Sequence, residues 1–562
     1  MRTPVTALVV AALAFVVSTH DADAARKTVC SITVNSPDER ETFRRYLPSE
    51  QYDFVELVEH GRPDWLASAC RTGVRCDALI ISGHFDGGTE FYSDRLDARE
   101  SLPVAELERA SCSDSCQGLF ADLKEVYLFG CNTLNAEALK SATAEVGRSL
   151  LRSGHSPADV ERITQLLDQR HGESNRDRMR EIFKDVPVIY GFSSKAPLGR
   201  YAAATLERYF QSGNAGDVGS GRPSQKLLGL FAPVSMTATA GITSTDGEAA
   251  YRQEVCQFAD ERLSATQKLA FVHTLLGREM AEVRMFLDRI EAYLGSLDDA
   301  ARQDPATARV WAEISADTAA RSRFLDFTRD ADRSDTRARM LAVARSFGWL
   351  TPEQERAELL RMFGEQLAGK ATGAAEVELA CGLNRDGALG RDLQRLHLAA
   401  VPDDAPRAAV LACLGNPEAH ARVVRALTSP NDADVQIAQV YLKHRPLQDG
   451  SELRTLAADI ARMSTPEAQV LALETLAQQG LADRESLEEL ARLFSRARSV
   501  QVQRAIAGIL IRADYHAIAS TDLVRALRQS RLKSNGAEDA IDILIRRMEL
   551  AISGTRAGVS GT

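Results

Sequence analysis

The sequence predicts an α/β domain built on a mostly parallel sheet, followed by an all-α array of stacked helix pairs. Three observations carry this. Between residues 27 and 192, apolar runs of strand length alternate with helical patterns, which is the pattern of crossover-connected parallel strands. After residue 251 the strand signals largely vanish. Over roughly the last 130 residues a spacing of 33 to 35 recurs, the mark of a helical repeat. The length of 562 residues leaves room for several domains. With 44% hydrophobic and 26% charged residues the chain is neither disordered nor collagen-like.

Residues 1–24 read as a signal peptide. Arg2 precedes an apolar run over 5–17, too short to cross a bilayer and of the right length for a signal core. Ala22-Asp23-Ala24 supplies the small residues of a cleavage site, so the mature chain is expected to begin at Ala25. No later stretch reaches the roughly 18 apolar residues of a membrane span. The product is therefore expected to be exported, periplasmic or secreted, in an oxidising compartment. Lys and Arg number 68 against 78 Asp and Glu, a net charge of −10, which argues against nucleic acid as a general partner.

The α/β domain is expected over 25–212. Strands are read at 28–34, 52–58, 78–82, 126–129 and 186–192, with helices at 37–46, capped by Ser36, and at 65–71. The third strand, Ala78-Leu79-Ile80-Ile81-Ser82, is continuously apolar up to its last residue and so expected to be buried on both faces. Gly87-Gly88 before 89–92 suggests a small hairpin. Residues 213–250, rich in Gly, Ser and Thr, read as a linker or long loop. A helical region follows over 251–335. There Leu269, Val272, Leu276, Met280, Val283, Leu287, Ile290 and Leu294 recur at steps of three and four, predicting one helix of about 30 residues. Ser264 with Gln267 forms its capping box. Thr351, Pro352 and Gln354 open another helix.

The repeat array is expected over 336–562. Val435, Ala468 and Val502 lie 33 and 34 residues apart, and Ala537 with Ile541 continues the series at 35. Its small-apolar pattern resembles HEAT repeats. Such units cannot bury their apolar faces singly and stack into a solenoid whose concave face suits a protein partner.

Chemistry concentrates at two strand ends. The third strand runs into Gly83-His84 and the fourth into Gly130-Cys131-Asn132. Ligands of parallel sheets bind at the carboxyl ends of strands, and a cysteine nucleophile needs a nearby base such as histidine. Over 27–212 the chain resembles the caspase-like cysteine peptidases, the group that includes caspases, metacaspases, gingipains, separase and CHAT domains. In that family the His follows one buried strand and the Cys the next, roughly 50 residues on; here the gap is 47. The resemblance implies that His84 is the proton shuttle and Cys131 the nucleophile. The backbone N–H groups of Phe85 and Cys131 would hold the oxyanion. Two positions depart from the family: Phe85 stands where Gly is usual, and Gly130 where Ala or Ser is favoured. Asp86, Asn132 and Ser194 are candidates for the substrate pocket, the last because the loop over 193–197 follows the fifth strand.

Nine cysteines allow four disulfides and one free thiol, which would be Cys131. Cys70, Cys76, Cys112 and Cys116 are expected near the site and able to pair among themselves. Cys112-x3-Cys116 has no second ligand pair at zinc spacing, so no metal is expected, and no cofactor is implied. The function expected is an exported cysteine endopeptidase acting on a protein or peptide substrate, with the repeats for recruitment. The alternative is a non-catalytic caspase-like domain within a solenoid scaffold. An acyl transferase using the same dyad is a third reading.

Overall fold

The computed structural model describes residues 26–559 except 58–65, 67–69, 71–72, 86, 94–99, 115, 139–143, 172, 370–371, 393–401, 480–483 and 534–538. The signal-peptide reading and most of the helix read at 65–71 fall outside the described residues. The chain divides into two compact units, Met1–Ala316 and Asp317–Thr562.

In the first unit, β1 (Lys27–Thr33), β2 (Tyr52–Glu56) and β3 (Ala78–Ser82) are followed by a small hairpin of β4 (Glu90–Tyr92) and β5 (Ser101–Pro103). Then come β6 (Glu125–Phe129), β7 (Val188–Phe192) and β8 (Met236–Thr239). The main sheet has the order β2-β1-β3-β6-β7-β8; all its pairings are parallel except β7 with β8. Alternation along the strands splits the core into two layers. Ile32, Leu79, Ile81, Val126, Leu128 and Ile189 face the helices Val104–Cys112 and Asn175–Ile182. Val29, Ile80, Tyr127, Phe129, Tyr190 and Phe192 face the helices Asp38–Tyr46 and Gly199–Gln211. β3, β6 and β7 are buried throughout, as two covered faces require.

The segment 213–250 is not a linker. Gly219 and Gly221 hold positive φ, +68° and +70°, and with Ser220 they aim three backbone N–H groups at the buried Glu125 carboxylate, at 2.9 to 3.0 Å. Helix Gln225–Phe231 buries Leu227 and Phe231, and β8 completes the sheet edge. The boundary between units accordingly falls at 316/317 and not near 250. The long helix predicted from residue 265 onward is three helices, Ala265–Leu276, Met280–Met285 and Leu287–Ser296. The eight residues that predicted it are all buried; the chain breaks at Gly277-Arg278-Glu279, and the apolar step pattern runs across the break. The Ser264–Gln267 capping box is present.

Four disulfides join Cys30–Cys76, Cys70–Cys116, Cys112–Cys256 and Cys381–Cys413, and Cys131 is free. Of the four cysteines able to pair among themselves, only Cys70 and Cys116 do so. Cys112 and Cys116 sit in separate disulfides, so that spacing holds no metal pair.

The second unit is helical throughout its described elements. Asp432–His444 packs on Pro466–Ala477, that helix on Val500–Arg512, and that one on Ala540–Val559. The intervening helices form a second row, Gly450–Ile460 on Arg484–Arg496 on Thr521–Ser530. Val435, Ala468, Val502 and Ile541 fall one on each helix of the first row; Ala537 lies outside the described residues. Buried amides stitch successive pairs: Gln479 Oε1 accepts from Leu447 N–H and Gln503 Oε1 from Leu532 N–H, both at 2.9 Å. The Thr351–Gln354 capping box opens Pro352–Ala368 as predicted. Among the described residues no helix is long and apolar enough to cross a membrane.

Candidate active site

β3 and β6 pair in parallel with Ser82 opposite Phe129. Two residues further on, His84 and Cys131 therefore leave the sheet at the same level on adjacent strands. Both line one cleft of about 170 Å³, together with Ser36, Glu39 and Ser82 and with the loop Ala196–Gly199. The cleft spans the carboxyl ends of β1, β3, β6 and β7. It includes the point between β1 and β3 where the strand order turns round, the place where open α/β sheets bind ligands.

His84 is fixed by its backbone. Its N–H donates to Tyr92 C=O and its C=O accepts from Tyr92 N–H, both at 2.9 Å, so the β4 hairpin folds back onto it. Its ring lies 5.4 Å from that of Tyr92, centre to centre. Cys131 is half-buried, and its sulfur accepts from Ala196 N–H at 3.3 Å. The cysteine loop is held from three sides. Thr133 hydroxyl donates to Gly130 C=O and accepts from Phe192 N–H. Leu134 N–H donates to Phe192 C=O. Asn175 side-chain N–H donates to Asn132 C=O.

Phe85 and Gly130 are one packing solution. A Cβ on residue 130 would lie 2.8 Å from Phe85 Cβ and 3.0 Å from Gly83 O, distances that real contacts do not reach without movement. Phe85 is fully buried against Phe91, with ring centres 4.6 Å apart, and it fills the space that only a glycine at 130 leaves. Among the described residues no acceptor takes the backbone N–H of Phe85 or of Cys131. Both expected oxyanion donors are thus uncommitted.

The expected pocket residues fare differently. Asp86 lies outside the described residues. Asn132 holds φ +60°, a left-handed turn that its short polar side chain tolerates; its N–H is spent on Ser194 C=O at 2.6 Å. Ser194 is exposed and its hydroxyl meets that of Ser235 at 2.6 Å. Neither Asn132 nor Ser194 lines the cleft. The loop after β7 lines the cleft with Ala196, Pro197, Leu198 and Gly199.

Glu39 is a cleft residue that sequence reasoning missed. It looks like one of three acids in the exposed first turn of Asp38–Tyr46, yet it is only 3% exposed. Burial pushes its carboxyl up to about 7, its own backbone N–H works against that, Asp38 adds to it, and the Ser82 hydroxyl opposes it. Glu39 Oε2 and Ser82 Oγ are both buried, and the approach of the Ser82 hydroxyl to the carboxyl falls short of a closed hydrogen bond. The one signal available was position: a helix N-terminus that follows the central β1 must open onto the same sheet end as His84 and Cys131. Comparison with protein-family models, with curated proteins and with solved structures finds no match to this chain.

Proposed function

We propose that the sheet unit is a caspase-like cysteine peptidase domain, exported from the cell, and that the helical unit is a HEAT-like array that recruits its protein substrates. The observation that carries the reading is the in-register exit of His84 and Cys131 from adjacent buried strands into one cleft. His84 takes the proton from Cys131, and the thiolate attacks the scissile carbonyl. The oxyanion of the tetrahedral intermediate is held by the N–H groups of Phe85 and Cys131. His84 then gives its proton to the departing amine, and water releases the acyl group. Export is supported by four disulfides in a chain whose only unpaired cysteine among the nine is Cys131. The array is supported by the two rows of alternate helices and by the repeat positions that fall on one row.

The test is a peptide-library cleavage assay on the mature protein with and without Cys131→Ala, alongside alkylation near neutral pH. Cleavage that disappears with Cys131→Ala, and selective alkylation of Cys131 that slows in His84→Ala, are expected. Cleavage that persists in Cys131→Ala would sink the reading. A Cys131 that resists alkylation in the folded protein would favour the scaffold alternative.

A further inference from the structure

A second cavity lies in the same unit, and none of its lining residues is shared with the cleft of His84 and Cys131. It holds about 540 Å³, within the roughly 300–1,000 Å³ of small-molecule sites, which often form between helices. Four helices contribute to its wall: Val104–Cys112, Ala249–Ala259, Ala265–Leu276 and Leu287–Ser296. Phe258, Leu263, Tyr293 and Leu297 make that wall apolar. Phe258 meets Tyr293 edge-on, with ring centres 6.4 Å apart. The Tyr293 O–H is spent on Ala265 C=O at 2.6 Å.

One charge in this cavity stands without a counter-ion. Lys268 lines it and is half-buried. Its ammonium donates to Phe258 C=O at 2.7 Å, which uses one of its three donors. The two acids whose fields reach it are each paired with an arginine, Asp260 with Arg262 and Glu261 with Arg109. Burial outweighs their pull and holds the ammonium below the usual lysine range. The other charges lining the cavity are committed. Arg289 grips the Glu108 carboxylate with two hydrogen bonds, at 2.9 and 3.0 Å. Asp298 caps the helix Asp299–Gln303, accepting from Ala301 N–H at 2.7 Å.

We propose that this cavity binds a small apolar monocarboxylate, its carboxylate accepting from the uncommitted N–H groups of Lys268 and its hydrocarbon body lying on Phe258, Leu263, Tyr293 and Leu297. The single unmatched positive charge selects a monoanion. A phosphate dianion would find one lysine and no free arginine fork. A sugar or nucleotide would leave hydroxyls unpaired against the apolar wall.

The experiment is titration calorimetry of the full chain with octanoate and with octanamide, its uncharged counterpart of the same shape. The acid should bind about tenfold or more tighter than the amide. In Lys268→Gln that gap should close while the amide still binds. Ala292→Trp places a large ring at an exposed position of the wall and should weaken both ligands by about tenfold or more. Equal affinity for acid and amide, a preference that survives Lys268→Gln, binding untouched by Ala292→Trp, or no binding by either ligand would overturn the proposal. Should Lys268→Gln fail to fold, the gap in the wild type and its response to Ala292→Trp decide it. None of these outcomes reads Cys131, so a wild type that never cleaves peptides leaves them unchanged.

Discussion

Glu125 and Glu39 are both buried glutamates of the same sheet domain, at opposite ends of its strands, and the fold treats them oppositely. Glu125, at the amino end of β6, is 0% exposed. It accepts from the N–H groups of Gly219, Ser220 and Gly221 and from the hydroxyls of Ser220 and Tyr127. Two left-handed glycines make those N–H groups converge, the geometry of an anion-binding nest. Glu39, at the carboxyl end, keeps an oxygen bare and has its carboxyl pushed up to about 7. One end of the sheet is wired shut, and the other holds polar groups in reserve where His84 and Cys131 emerge. Function is expected where satisfaction is incomplete.

The sharpest way to break this contrast is to truncate each end and read activity and stability separately. Cys131→Ala is expected to lower peptide cleavage by about a thousandfold or more, and His84→Ala by nearly as much, because the two act as a unit. The denaturation midpoint should hardly move, since Cys131 is half-buried with a single N–H contact at its sulfur. Glu125→Ala should do the opposite. It strands several N–H and O–H donors, and unfolding free energy should fall by about 3 kcal/mol or more. Residual activity should then track the folded fraction in a denaturant series. A Glu125→Ala protein of normal stability would remove the contrast at once.

The contrast is sharpened by pH. The folded value near 7 for Glu39 lies above its ordinary 4.5. Between these two values the folded chain keeps a proton that the unfolded chain has shed, so stability contributed by this group falls as pH rises. Over the whole window the loss is roughly 3 kcal/mol at most. Glu39→Gln is therefore expected to stabilise the protein by up to that amount at pH 8, and to change it little below pH 4.5. Denaturant unfolding at the two pH values checks this. A destabilisation of equal size at both would mean that Glu39 is wired like Glu125.

These two glutamates also mark how far the sequence could be read. Five strands of the sheet were legible because each is a short apolar run bounded by polar turns. The sixth, Met236–Thr239, was not, because an edge strand of Thr and Ala carries no apolar signal. The glycines at 219 and 221 read as linker, since composition cannot tell a flexible glycine from one held at positive φ by a carboxylate 94 or more residues away. The helix predicted to run unbroken past Gly277 failed for a related reason: apolar steps of three and four persist across a corner when the next helix packs on the same core. His84 and Cys131 were legible because strand ends can be found locally. Glu39 was not, because its burial depends on four strands meeting, while its neighbours Asp38 and Glu41 are ordinary helix-start acids.

The smallest effect expected separates main chain from side chain at the site. Ser194 was a pocket candidate by its place after β7, yet what it gives to the cysteine loop is a carbonyl, accepting from Asn132 N–H at 2.6 Å. Its hydroxyl turns away to Ser235 and is exposed. Ser194→Ala leaves the carbonyl in place and removes only a solvent-facing hydrogen bond. Stability should then shift within about 0.5 kcal/mol, and cleavage rates should change less than about twofold. Asn132→Ala should cost more, about 1 kcal/mol, because alanine fits the left-handed turn at φ +60° poorly. That change also moves the residue directly after Cys131, so its loss in rate should exceed its loss in stability. If Ser194→Ala instead slows cleavage tenfold with an unchanged midpoint, the hydroxyl reaches substrate. The wall of the cleft would then extend beyond Ala196–Gly199 toward the outer edge of the sheet.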